Sequence, residues 1–183
     1  MLLDVPGKLS EADAAISGAL TYTDGLLRED PGNYRMRYNR VYLLLRSGKV
    51  ALRLGRAQDA ARHYRVANQE AAGLLDGPDG PAARNLRLDA RIQLARIQRS
   101  AALADEAARE IEANPKLLPD PWTTASAFGD LGRAFCACGH KADASKWLAK
   151  SVAAWAGLKV VPQLEERRKA ESASAAKALA SCR

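Results

Sequence analysis

Two histidines and three cysteines are the residues of this sequence best suited to metal binding or nucleophilic chemistry. The densest group is Cys136-Ala137-Cys138-Gly139-His140, with Cys182 close to the C-terminus. Helical residues two apart point roughly 200° from each other, so Cys136 and Cys138 cannot grip one ion without unwinding. No second Cys/His cluster supplies the other ligands of a tetrahedral site, and neither a metal nor another cofactor is expected. An odd, low cysteine count fits reduced, partly buried thiols rather than a disulfide framework. Nucleophilic catalysis needs a nucleophile, a base and a group that orients the base. Neither Cys136 nor any serine stands in such a context, and His63, beside Tyr64, falls on a helix flank. Aspartates and glutamates fall at capping and solvent positions, which leaves carboxylate-pair hydrolysis without footing. The sequence reads as that of a protein that is not an enzyme.

Charge is the stronger chemical signal. Lys and Arg number 28 against 21 Asp and Glu, a formal charge of +7 with a pI near 9.5, which favours acidic partners. Nucleic acid is the weaker candidate. Arg84, Arg87 and Arg91 extend the basic character, but aromatics make up only 5% of the chain, too few for a base-stacking platform.

Alanine, leucine and arginine dominate the 183 residues and no stretch alternates apolar with polar, so the expected fold class is all-α. No apolar run approaches the roughly 18 residues that a membrane span needs. The start, MLLDVPGKLSEAD, lacks the basic flank and apolar core of a secretory signal, and a cytoplasmic, bacterial-type protein is expected. Punctuation divides the chain into helices. Residues 10–28 form one, capped by Ser10 with Asp13 three residues on, and Asp30-Pro31-Gly32-Asn33 ends it and caps the next. Helices over 34–54 and 57–75 follow, then the break Asp76-Gly77-Pro78-Asp79-Gly80-Pro81, with Pro81 suited to a first turn. Further helices are expected over 82–101, 104–114, two between 121 and 157, and 163–181.

The stretch Ser47–Ala67 pairs two of these helices, with Gly48 admitting a close neighbour, Gly55 turning the chain, and Ala60, Tyr64 and Ala67 on one face. Phe128-x2-Leu131-Gly132-x2-Phe135, Gly139 and Ala144-x3-Leu148 repeat the pattern. Both resemble the tetratricopeptide repeat, W-x2-L-G-x2-Y followed by A-x3-F. Ala12, Ala60, Ala107 and Ala144 then align at spacings of 48, 47 and 37 residues. The usual unit is about 34 residues, so the first two exceed it by nearly four helical turns. The resemblance covers residues 5–160, in units of about 5–30, 34–75, 82–114 and 121–157, with a capping helix at 163–181. It implies a right-handed α-α superhelix, a solenoid of helical hairpins. The linker Asp30–Asn33 and the closing Ala175–Cys182, AAKALASC, also resemble the C-terminal repeat regions of bacterial eukaryote-like serine/threonine kinases. No kinase motif accompanies them.

In such repeats the first helix of each hairpin lines a concave groove. That resemblance places Tyr42, Leu45, Lys49, Arg53, Arg96, Arg99 and Arg133 there. A row of guanidinium forks suits carboxylates, so the expected function is a scaffold or adaptor that binds an acidic segment of a partner protein. An alternative is a regulatory repeat region detached from a larger signalling protein. The unit at 5–30 has only Met1-Leu2-Leu3 where its first helix belongs, which points to the end of a longer array, or to a homodimer through helix 10–28.

Overall fold

The computed structural model describes residues 7–182. Met1–Leu3, and residues 5 and 6 of the first expected unit, lie outside the described residues. The fold is all-α. Among the described residues eight helices follow one another: α1 (Leu9–Glu29), α2 (Tyr34–Arg53), α3 (Ala57–Ala72), α4 (Gly80–Gln98), α5 (Ala101–Ala113), α6 (Pro121–Ala137), α7 (Lys141–Gly157) and α8 (Pro162–Ser181). A 3₁₀ turn at Pro115–Leu117 precedes α6, and no strand occurs among the described residues. No helix among them is long and apolar enough to cross a membrane.

Local chemistry explains most boundaries. The Asn33 side chain accepts a hydrogen bond from the Met36 N–H at 3.1 Å, opening α2. Asp120 does the same for the Thr123 N–H at 2.8 Å, and Pro121 gives up a donor that a first turn leaves orphaned. Ser10 is not a cap. Gly7, with φ of 78°, turns the chain early enough for the Lys8 carbonyl to accept from Ala12 N–H, so α1 starts at Leu9.

Two compact units divide inside α4, residues 1–91 and 92–183. In the first, α2 packs between α1 and α3; in the second, α6 packs on α5 and α7, and α7 on α8. Within α1 only Ala12 and Thr23 are fully buried, and Tyr22 is 69% exposed.

One turn recurs. An N–H just beyond a helix reaches back to a carbonyl five residues earlier: Arg56 to Ala51, Ser100 to Ala95, and His140 to Phe135. The residue at the bend is left-handed each time, Gly55 (φ 76°), Arg99 (φ 51°) and Gly139 (φ 80°). The next helix then begins identically, with N–H groups of Ala60, Ala104 and Ala144 bonded four residues back. The third unit therefore aligns on Ala104, not Ala107, and the spacings from Ala12 become 48, 44 and 40 residues. Arg99 occupies a glycine's place, and a side chain in that conformation costs about 1–2 kcal/mol. After allowance for the extra freedom of glycine in the unfolded chain, Arg99→Gly should stabilise the protein by about 0.5–1 kcal/mol, read as a higher urea midpoint at unchanged slope.

Close approach needs glycine at several sites, two of which stand at the same place in their hairpins. A Cβ on Gly48 would sit 2.6–2.9 Å from three atoms of the buried Tyr64 ring. A Cβ on Gly132 would meet Leu148 Cγ at 2.6 Å and its backbone N at 2.9 Å. These contacts seat α2 on α3 and α6 on α7.

Candidate partner-binding faces and a cysteine pair

The expected groove residues have different fates. In the first unit, Tyr42 on α2 is 38% exposed; Arg46, one turn on, lies 4.8 Å above its ring and donates to its hydroxyl at 2.5 Å. Leu45, at 3% exposure, is in the core and lines no groove: its side chain points to the apolar side of α2, with Val41 and Leu44. Lys49 donates to Asp89 Oδ2 at 2.9 Å. Arg53 is exposed in the last turn of α2, where the helix dipole favours a cation.

In the second unit, Arg96 and Arg133 converge on one carboxylate. Arg133 Nη2 lies 2.9 Å from Asp130 Oδ1 and Arg96 Nη1 3.9 Å from the same oxygen, while Gln93 Nε2 donates to Oδ2 at 3.0 Å. Arg99 is exposed in the α4–α5 turn. The basic row is thus partly neutralised by Asp89 and Asp130. Asp130 was readable from its place three residues before Arg133; Asp89, forty residues from Lys49, gave no local signal. Arg91, which the nucleic-acid alternative would use, is only 8% exposed.

The structure also makes a pair that spacing did not suggest. Ser47 Oγ and His63 Nε2 share a hydrogen bond at 3.1 Å between α2 and α3. Ser47 is buried, and both residues sit mid-helix, where the backbone N–H groups are already committed to the helix. Those N–H groups are not free to serve as oxyanion donors, and the pair links the two helices of the hairpin. Burial, then the nearby Arg62, lowers the His63 pKa from its usual 6.5, against opposing Asp59 and Asp13. The unfolded chain therefore takes up this proton first. Stability is full above pH 6.5 and falls as acid protonates the unfolded histidine. Urea midpoints measured at pH 7.5 and 5.5 should fall more in the wild type than in His63→Gln.

Two of the three cysteines are not free thiols. Cys136, at the end of α6, and Cys182, just past α8, form a disulfide with Cα atoms 5.8 Å apart. The expectation of three reduced thiols failed because 46 residues separate the partners and only the fold of α6–α8 brings them together. This bond takes Cys136 out of any ligand set. Cys138 is free and half-buried, and burial, then Asp105, raises its pKa and keeps it in the thiol form. His140 is the residue before α7, its ring stacked on Phe135 at 6.2 Å.

Compared with protein-family models, curated proteins and solved structures, the chain finds no match in any of the three.

Proposed function

We propose that this protein is a non-catalytic scaffold that binds an acidic, extended segment of a partner protein along its first helices. The observation that carries this reading is the Arg96–Asp130–Arg133 cluster, in which two guanidinium groups share one carboxylate. One positive charge is left over, and arginine forks accept a second carboxylate in parallel geometry. Arg53 offers an exposed guanidinium of the same kind in the first unit, and Tyr42 an exposed ring.

A fluorescein-labelled oligoglutamate peptide, titrated in low salt, tests this with changes of opposite sign. Arg53→Glu together with Arg96→Glu should weaken binding at least about tenfold, since each opposed charge contributes on the order of 1 kcal/mol. Asp130→Asn frees both guanidinium groups and should tighten binding. Equal affinity across the set, in variants with unchanged circular dichroism, would overturn the proposal.

A further inference from the structure

We propose that the Cys136–Cys182 disulfide is a reducible latch that holds α8 onto α6 and α7, and that opening it releases α8 while the α6–α7 hairpin stays folded. The reason lies in how little else holds this helix. Of its twenty residues only Ala175 is fully buried, in a cluster with Ala125 and Trp155. Arg167 lies 5.2 Å above the Trp122 ring, and Arg168 donates to the Trp155 carbonyl at 3.0 Å. The Glu165–Arg168 and Glu166–Lys169 ion pairs are internal to α8. The α6–α7 hairpin has a core of its own in Leu131, Ala134, Phe135, Ala144, Trp147 and Leu148.

Cys182 is 3% exposed and Cys136 is more open, so attack is directed to Cys136 Sγ. A dithiol reductant supplies the electrons. Its thiolate bonds to Cys136 Sγ as the Cys136–Cys182 bond breaks, and Cys182 leaves as a thiolate and takes up a proton. The second thiol of the reductant then attacks the mixed disulfide, releases Cys136 as a thiol, and leaves the reductant as its own disulfide. With Cys182 freed, the C-terminal end of α8 keeps no covalent tie, and helix and coil exchange becomes local.

Trypsin digestion of the full chain, with and without dithiothreitol, tests the latch, with fragments read by mass spectrometry. Reduction should speed cleavage after Lys169 and Lys177 by about tenfold or more, because cleavage follows the open population. Cleavage after Lys141 and Lys146 should stay slow. Cys182→Ser should reproduce the reduced pattern without reductant, and Cys138→Ser should leave the response of the wild type unchanged. If that variant does not express, the reduced wild type alone decides. Equal protection of α8 in both states would overturn the proposal, as would loss of protection at α6, α7 and α8 together.

Discussion

Trp155→Ala should destabilise the protein by about 4 kcal/mol, a large share of the 5–15 kcal/mol typical of a folded domain. Trp155 is fully buried on α7, meets Trp122 edge-to-face at a centroid distance of 4.9 Å, and packs with Ala125 and Ala175. Truncation removes the largest buried side chain of that cluster, and its other buried members, Ala125 and Ala175, are too short to refill the space. The edge-to-face pair contributes about 1 kcal/mol of the loss. Urea unfolding followed by far-ultraviolet circular dichroism avoids confusing the loss of a fluorophore with the loss of structure. Trp155→Phe should fall between wild type and alanine, because it keeps a ring against Trp122. Tyr22→Ala, at an exposed site of α1, should change stability by no more than about 0.5 kcal/mol. A loss under about 1 kcal/mol for Trp155→Ala would mean that this cluster is not a core.

Much of the helical layout was legible because its signals are local. Asn33 and Asp120 satisfy N–H groups three residues away, and both helices start where those side chains require. Gly55 and Gly139 mark the bends because a left-handed residue without a Cβ carries no steric cost. Gly48 and Gly132 were readable as close approaches because each stands seven residues before such a bend.

What was missed is either non-local or written in the wrong residue. Arg99 adopts the glycine conformation without being glycine, so the third hairpin hid its register and Ala107 was taken for Ala104. The Cys136–Cys182 bond and the Lys49–Asp89 pair join residues 46 and 40 apart, distances over which periodicity carries no information. Leu45 was placed on the groove by the repeat resemblance, yet it is buried with Val41 and Leu44. At the edge of the apolar stripe a leucine turns inward and a lysine outward.

Gly132→Ala should cost about 2–3 kcal/mol, because the added methyl meets both the side chain and the backbone of Leu148. The side chain can rotate away, but the Leu148 nitrogen, 2.9 Å from the new Cβ, moves only if α7 moves. Gly48→Ala should cost less, since the atoms nearest its new Cβ all belong to the Tyr64 ring, a side chain, rather than to backbone. Alanine's better helix propensity offsets about 1 kcal/mol at either site. The register set by Arg99 shows a way around this clash. It puts Ile92 where the other hairpins have Gly48 and Gly132, and Ala108 where they have Tyr64 and Leu148. Large and small have changed sides while their combined volume is nearly kept. The same exchange should work in the α6–α7 hairpin. Gly132→Ile alone should be strongly destabilising, and Leu148→Ala alone should cost about 3 kcal/mol through the cavity it leaves. The double variant should be more stable than the sum of the two losses by at least about 1 kcal/mol, measured as the coupling energy of a double-mutant cycle. Strict additivity would show that backbone approach, rather than side-chain volume, sets the spacing of these helices, and that the third hairpin reaches its packing by another route.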